Sequence, residues 1–415
     1  MRLVFEHSGR RTRRHAHFTV NAMDAIEFAA HPLDEVSAGI EQVFVVGTGR
    51  CGSTLVSGML RQHRSILSLS EWFSFVTDLG CAIADAFPEG LVNAAQMWAI
   101  VGAQLPRQNL MLRHDVVMPE VLYPWNAASQ QAEPGAASAQ TSAPRPSHRY
   151  NAETGVPAIC QVALPHLSHD PDALFEQLQA VVLGLSPAPV GVQYQRIFAW
   201  LAQQQGASTW VERSGGGLRI LARLRQHFPR ARFVHIVRDG ADTALSMSQH
   251  RGFRFVFAAF QLLEVLGLDP YVSKDRRWED DLSDEQAALL PERFTKQAFL
   301  DFSTPPPMCG HYWSGEICNG LPLLQDLAAS QLLTLRYEDI LQQAASRCAT
   351  MLGFILQCEV DQLNQDDKAW VAQVAAMVRK PTSSWDALPA RLREQTGHAC
   401  QAGMKALAAA GVVVP

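Results

Sequence analysis

A loop bounded by glycines follows an apolar run near the start of the chain and leads into a helical pattern. The run QVFVV (residues 42–46) predicts a buried strand, and the loop GTGRCG (residues 47–52) precedes STLVSGML, where apolar residues recur at helical spacing. A strand that turns through glycines into a helix directs several backbone N–H groups at one point, where the helix dipole adds positive potential. The sequence therefore predicts an anion-binding site at residues 47–54.

This loop differs from an ATP-binding loop at one position. The pattern G-x-x-x-x-G-K-[ST] is matched by Gly47, Gly52 and Thr54, but Ser53 stands where the lysine should be. That lysine bridges the β- and γ-phosphates, so its absence disfavours a triphosphate. The positive charge is instead Arg50, inside the loop, which favours a shorter anionic group. Taken alone, the motif could also be a strand–helix turn that binds nothing.

A second candidate anion site follows a second apolar strand. The run RFVHIV (residues 232–237) leads into Arg238 and Asp239, and Asp239 is a suitable N-cap for the next helix. Ser246 lies almost two helical turns further on, so Arg238 and the Ser246 hydroxyl could hold one phosphate from two sides. Alternatively, Arg238 forms only a local salt bridge beside Asp239.

The elements that must position these residues alternate between strand and helix patterns. Apolar segments at residues 42–46, 208–212, 232–237 and 332–336 predict buried parallel strands. This alternation favours βαβ units and an α/β fold with a mostly parallel central sheet and helices on both faces.

The third and fourth predicted strands are separated by a long segment of helical character. Residues 253–266, 283–302 and 309–327 all look helical, so we expect a helical insertion at residues 253–327. Such an insertion could build a substrate pocket or could simply cap the fold.

Composition and charge favour one globular domain over residues 1–415, with a core at about 42–389. The chain is 47% hydrophobic and 18% charged with a formal net charge of −5, which argues against nucleic-acid binding or a polybasic membrane anchor. Residues 127–148 contain no Val, Ile, Leu, Phe or Trp, so they predict a low-complexity surface insertion.

The sequence shows no recognisable secretory signal, membrane-spanning stretch or metal-binding cysteine motif. The N-terminus lacks the apolar core of a secretory signal and no stretch is apolar enough to span a bilayer, so a cytoplasmic location is expected. The eight cysteines include no CxxC pair, so no zinc site or disulfide framework is indicated.

The loop resembles the 5′-phosphosulfate loop of the sulfotransferases. In that family it reads R-S-G-T-T-L or K-S-G-T-T-W, and the matching positions here are Arg50, Cys51, Gly52, Ser53, Thr54 and Leu55. Cys51 replaces the usual serine and offers only a weak S–H donor. RDGADTALS resembles the family's 3′-phosphate motif R-D-x-x-D-x-x-x-S, with Arg238 and Ser246 at its ligand positions. The resemblance implies 3′-phosphoadenosine 5′-phosphosulfate (PAPS) as the sulfonate donor. It also implies that Gly49 belongs to the loop that binds this donor.

Three further segments are similar to the same family. RYEDI (residues 336–340) resembles a segment after the last core strand, and TWVERSGG resembles the W-x-E-K-T-P region with Arg213 in place of lysine. VRKPTSSWDALP (residues 378–389) resembles the C-terminal stretch that folds over the donor, where Lys380 is the candidate ligand. The resemblance is to the bacterial and Golgi-like branches and implies a three-layer fold like that of P-loop NTPases.

The resemblance also implies metal-free transfer of a sulfonate group to a hydroxyl or amine. Arg50 and the N–H groups of residues 52–54 would stabilise the charge that grows on the bridging oxygen, and Arg213 would add to this effect. The acceptor is expected to be a small molecule, a lipid or a carbohydrate.

An alcohol acceptor also requires a general base, and two residues are candidates. Glu71, in SLSEWF, stands about where related enzymes have a glutamate, but Ser68 and Glu71 also have the spacing of a helix capping box. His114, in LMLRHDVVMP, resembles a histidine of the cytosolic branch and could equally be structural.

Two other functions stay open at this point. A P-loop kinase acting on a small molecule is disfavoured by the absent lysine and by the lack of a metal-binding aspartate. A non-catalytic nucleotide-binding relative is kept open by Cys51 and by the uncertain base.

Overall fold

A computed structural model describes residues 31–73, 86–125, 148–379, 385 and 388–412 of the chain. The low-complexity insertion, apart from its last residue, and the candidate ligand Lys380 lie outside these ranges.

Seven strands form two sheets in the described part of the chain. They are β1 (Glu41–Val46), β2 (Ile66–Ser70), β3 (Leu91–Val92), β4 (Ala188–Pro189), β5 (Thr209–Arg213), β6 (Arg232–Val237) and β7 (Leu332–Arg336). The main sheet is parallel throughout, in the order β2-β5-β1-β6-β7. Strands β3 and β4 form a short antiparallel pair.

Helices connect these strands and surround the sheet. The α-helices are α1 (Pro32–Ala38), α2 (Ser53–Leu60), α3 (Ala94–Val101), α4 (Pro106–Arg113), α5 (Ala158–Gln161), α6 (Pro171–Leu183), α7 (Val190–Gln204), α8 (Leu221–His227), α9 (Gly240–Ser248), α10 (Arg251–Leu266), α11 (Asp284–Ala287), α12 (Lys296–Asp301), α13 (Pro306–Gln325), α14 (Tyr337–Gln342), α15 (Ala344–Leu356), α16 (Gln365–Ala375) and α17 (Ala390–Ala409). Short 3₁₀ helices occur at Leu164–His166, Gly217–Ile220, Glu279–Asp281 and Val360–Gln362.

The central strands are buried on both faces because the sheet separates two hydrophobic cores. Alternate residues of β1 point to opposite sides: Phe44 enters one core, where its ring meets Trp210 edge-on at 5.2 Å, and Val43 enters the other. A strand covered by helices on both faces has no polar side, which explains its continuous apolar sequence. The predicted α/β architecture, with a mostly parallel sheet and helices on both faces, is confirmed.

Strand β2 was not predicted, because its sequence ILSLS alternates apolar residues with serines. The structure buries those serines instead of exposing them. The Ser68 hydroxyl donates to the Ser57 carbonyl oxygen at 3.1 Å, and the Ser70 and Ser57 hydroxyls are hydrogen-bonded to each other. Since Ser68 lies within a strand, the capping-box alternative for Ser68 and Glu71 is wrong.

Helices occupy the segment between β6 and β7, where the sequence predicts a helical insertion. Helices α10 and α13 match the predicted stretches, but residues 283–302 form two short helices, α11 and α12, rather than one. Pro291 lies between them, and a proline lacks the N–H that a continuous helix would use and disfavours helical geometry at the residue before it.

The helix that carries the second motif is held by close packing against the end of the chain. Trp313 of α13 is buried against Gly240 of α9 and Gly403 of α17, and a Cβ at either glycine would come within 2.6 Å of the indole. The lack of a side chain at these two glycines therefore lets α9 and α17 pack closely on the indole. Within the described residues, no helix is both long and apolar enough to cross a membrane.

Candidate functional site

The loop between β1 and α2 is a tight turn whose conformation depends on glycine. Gly49, Arg50 and Gly52 have φ angles of +81°, +54° and +95°. A Cβ at Gly52 would lie 2.3 Å from the ring of Tyr337, so the ring packs directly on the loop. Arg50 is the only non-glycine residue of the three, and its left-handed backbone is a strained geometry of the kind found at functional sites.

The N-terminus of α2 faces this loop without a side-chain cap. Its N-cap residue is Gly52, which has no side chain to accept from the first helical N–H groups, and such groups at a helix start are commonly satisfied by a ligand or water. Cys51 is buried with its thiol against Gly47, and burial raises the pKa of that thiol. The cysteine thus packs beneath the loop as a neutral group.

The two sequence motifs meet at this loop. The Arg238 guanidinium donates to the Arg50 carbonyl oxygen at 3.2 Å, and the Arg50 Nε donates to the Ser246 hydroxyl at 3.2 Å. Asp239 caps α9 by accepting from the Asp242 N–H at 2.9 Å, as its sequence position predicts.

Arg238 has a spare donor in this arrangement. Its guanidinium stacks over the ring of Tyr337 at 4.9 Å and lies 3.7 Å from Asp242, yet its buried Nε has no hydrogen-bond partner among the described residues. The local salt bridge considered from the sequence is thus present, but it does not satisfy the whole side chain. A buried, unpaired donor of this kind fits an anionic ligand.

Positive charge is concentrated around Arg50. Burial lowers the pKa of Arg50, Glu120 opposes this shift, and the cations Arg238 and Arg213 lower the pKa further. Neighbouring like charges destabilise one another, so a bound anion would be favoured here.

A cleft opens from the loop towards α4 and α10. Its polar lining comprises Arg50, Ser53, Thr54, Glu71, Gln108, Glu120, Gln161, Arg213 and His250. Its remaining wall is apolar and comprises Met111, Leu112, Val116, Met118, Val121, Ala158, Val162, Phe253, Phe255 and Val256. Charged groups therefore collect at the loop end of the cleft and apolar groups along its sides.

Glu71 and Arg213 lie together at this loop end. Glu71 follows the end of β2 with a φ of +59°, and one of its oxygens accepts from the Arg213 guanidinium. The other oxygen accepts from the Gly215 N–H at 3.0 Å. Both carboxylate oxygens are thus engaged, and Arg213 is nearly buried with its Nε unpaired.

His114 is not brought to the cleft. It caps the C-terminus of α4, its ring meets Phe294 edge-on at 5.1 Å, and it is absent from the residues that line the cleft. Burial and the nearby Arg113 lower the pKa of His114.

Glu120 and His250 are cleft residues that the sequence reasoning missed. The His250 Nε2 lies 2.7 Å from the Glu120 Oε1, and the Arg50 guanidinium lies 3.6 Å from the same oxygen. Burial would raise the pKa of the Glu120 carboxyl, but the hydrogen bond from His250 and the charges of His250 and Arg50 lower it overall. His250 could have been found from its position four residues after Ser246, whereas Glu120 lies in MPEVLYP, which has no periodic signal.

In the ranges that the structure describes, no cluster of His, Cys, Asp and Glu is arranged to hold a metal ion.

Comparison with solved structures gives several sulfotransferases at low identity. The sulfotransferase domain from the curacin biosynthetic pathway is 13% identical, with 91% of this chain and 99% of that one covered and a TM-score of 0.39. Sulfotransferase STF9 from Mycobacterium avium is also 13% identical, with 91% and 78% covered and a TM-score of 0.40. The sulfotransferase domain of the Synechococcus PCC 7002 olefin synthase is 13% identical, with 87% and 93% covered and a TM-score of 0.37.

Comparison with curated proteins gave no match. The family model described as "Sulfotransferase family" matches residues 42–307, a segment that includes both motifs from Arg50 to Ser246. Since this match spans more than half of the chain, the protein belongs to the Sulfotransferase family.

Proposed function

We propose that this protein transfers the sulfonate group of PAPS to a hydroxyl or amine of a small-molecule, lipid or carbohydrate acceptor. The observation that carries the proposal is the meeting of the two motifs, in which Arg238 contacts the Arg50 backbone and Arg50 contacts Ser246. One nucleotide with a phosphate at each end could bridge the two groups.

The residues present fit such a donor. The uncapped N-terminus of α2 and Arg50 would hold the 5′-phosphosulfate, as anions at helix N-termini commonly are held. Arg238 and Ser246 would hold the 3′-phosphate, using the unpaired Nε of Arg238. Lys380 remains a candidate ligand from the sequence alone.

The chemistry needs stabilisation of negative charge on the oxygen that leaves with the phosphate. Donors fixed in advance around that oxygen supply the largest share of such catalysis. Arg50 and the N–H groups of Ser53 and Thr54 are suited to this role. Arg213, held by Glu71 beside the loop, would add positive potential.

Binding measurements on the purified protein test the proposal directly. We expect adenosine 3′,5′-bisphosphate to bind without metal in isothermal titration calorimetry, and ATP with Mg²⁺ to bind far more weakly. Arg50→Ala should lower the affinity at least about tenfold, because it removes a charge-assisted contact. Arg277→Ala, which removes an exposed arginine outside the cleft, is the matched control and should change nothing.

Two results would contradict the proposal. Preferential binding of ATP with Mg²⁺ would favour the kinase, and unchanged affinity in Arg50→Ala would remove the assigned role of the loop.

A second experiment tests for turnover. Labelled sulfonate appearing on any acceptor in a metabolite extract supplied with ³⁵S-labelled PAPS would exclude a non-catalytic relative.

A further inference from the structure

We infer that Glu120 is the general base that takes the proton from the acceptor, and that His250 is the residue that positions it; this rests on the proposed sulfonate transfer. Neither residue belongs to the sequence motifs. The inference depends on the contacts made by three residues that line the cleft: Glu71, Glu120 and His250.

The two carboxylates of the cleft differ in how many of their oxygens are free. Both oxygens of Glu71 accept hydrogen bonds, from Arg213 and from the Gly215 N–H. In Glu120, by contrast, the side-chain contacts made by described residues, His250 and Arg50, both involve Oε1, so that among these residues no other side chain competes with an acceptor hydroxyl for Oε2.

The exposed fractions of the two side chains also favour Glu120 over Glu71 as the base. The Glu120 side chain is 28% exposed, compared with 11% for Glu71, although both line the cleft. A base must come within hydrogen-bond distance of the proton that it removes. Glu120 meets this requirement more readily, while Glu71 serves to fix Arg213.

Glu120 also lies next to the position expected for the transferred group. Its Oε1 is 3.6 Å from the Arg50 guanidinium, which is the cation proposed to hold the phosphosulfate. An acceptor hydroxyl that donates to Oε2 would therefore lie beside the sulfur. The apolar wall at Met118 and Val121 would hold the rest of the acceptor on the same side.

His250 is suited to holding Glu120 but not to reaching the acceptor. Its side chain is only 15% exposed, and its Nδ1 is buried. The residue is fixed at the N-cap of α10, and its ring meets Phe253 at 6.0 Å. A Cβ at Gly252 would lie 3.0 Å from the imidazole Cε1, so a side chain at residue 252 would crowd the ring.

The proposed step balances in atoms and charge. As the acceptor oxygen forms a bond to sulfur, its proton passes to the Glu120 Oε2. The bond between sulfur and the bridging oxygen breaks, and its electron pair leaves with adenosine 3′,5′-bisphosphate. The protonated Glu120 then returns its proton to solvent.

The kinetic test compares isosteric variants on two phenols of different acidity, with ³⁵S-labelled PAPS as donor. For the weakly acidic 4-methylphenol, Glu120→Gln should lower kcat by about 10²- to 10⁴-fold with little change in the KM for PAPS. For 4-nitrophenol, which ionises near neutral pH without a base, the loss should be much smaller. Glu264→Gln, at an exposed position on α10, is the control and should retain wild-type rates on both phenols.

A binding measurement adds a readout that does not depend on turnover. Glu120→Gln should bind adenosine 3′,5′-bisphosphate as tightly as the wild type or severalfold more tightly, since a negative charge beside Arg50 is gone. His250→Phe should lower kcat by less than Glu120→Gln does, and His250→Gln, which can still donate to Glu120, should restore part of the loss.

Each contrary outcome has a distinct meaning. Loss of activity in Glu71→Gln with full activity in Glu120→Gln would assign the base to Glu71 and overturn the inference. Equal loss on both phenols together with weaker nucleotide binding in Glu120→Gln would make Glu120 structural. A wild type that fails to bind adenosine 3′,5′-bisphosphate would defeat the proposed function itself.

Discussion

At Gly52 the backbone and a neighbouring ring leave no room for a side chain. The residue has a φ of +95°, and the Tyr337 ring occupies the space where a Cβ would be. The same ring stacks on Arg238, so the loop and the second motif share one aromatic contact. A change at this single position should therefore disturb both proposed halves of the donor site.

Comparing Gly52→Ala with Gly58→Ala tests this argument. Gly52→Ala should destabilise the protein by at least about 2 kcal/mol, from the left-handed backbone and the clash, and should abolish binding of adenosine 3′,5′-bisphosphate. Gly58 lies within α2 with open space at its Cβ position, so Gly58→Ala should stabilise by about 0.5–1 kcal/mol and leave binding unchanged. Urea denaturation and calorimetry give both quantities, and equal behaviour of the two variants would contradict the role assigned to Gly52.

At the scale of elements, β6 carries an unusual residue at its centre. His235 is 1% exposed, and neither of its ring nitrogens has a hydrogen-bond partner among the described residues. Burial lowers the pKa of His235 to about 4. The folded protein therefore holds this side chain neutral at a pH where the unfolded chain would protonate it.

This residue should make the protein sensitive to acid. Because the folded pKa of His235 lies below its unfolded value of 6.5, the unfolded state binds more protons between pH 6.5 and about 4, and stability falls as pH falls through that range. Between pH 7 and pH 5 the loss from this group is about 2 kcal/mol. Urea denaturation at both values should show a smaller loss in His235→Leu, and an identical loss in that variant would contradict the assignment.

The elements also show which parts of the structure a sequence can predict. Strands β1, β6 and β7 are apolar runs, and each motif occupies one contiguous stretch around a strand end, so both the sheet and the family were predicted correctly. Strand β2 was missed because its buried serines are satisfied by Ser57, a partner on another element. Glu120 was missed for a related reason: its importance comes from His250 and Arg50, which lie far away along the chain.

On the scale of the whole molecule, strand order explains how the site is assembled. The sheet order β2-β5-β1-β6 brings the residues that end these strands, or closely follow them, to one edge: Glu71, Arg213, Arg50 and Arg238. In parallel sheets this carboxyl edge is where ligands commonly bind. Glu120 and the start of α10 then cover the same edge, so polar chemistry is confined to the loop end and apolar residues form the remaining wall of the cleft.

That division of the cleft predicts which acceptors are used best. Each methylene that passes from water into the apolar wall contributes about 0.8 kcal/mol, which corresponds to roughly a fourfold lower KM for the acceptor. Across the series from 4-methylphenol to 4-pentylphenol, with ³⁵S-labelled PAPS, we expect KM to fall stepwise while kcat changes little. Met118 lies on this wall and is partly exposed, so Met118→Ser should flatten the dependence on chain length without affecting binding of adenosine 3′,5′-bisphosphate. A KM that is independent of chain length would show that the apolar wall does not contact the acceptor and would favour a hydrophilic acceptor such as a sugar.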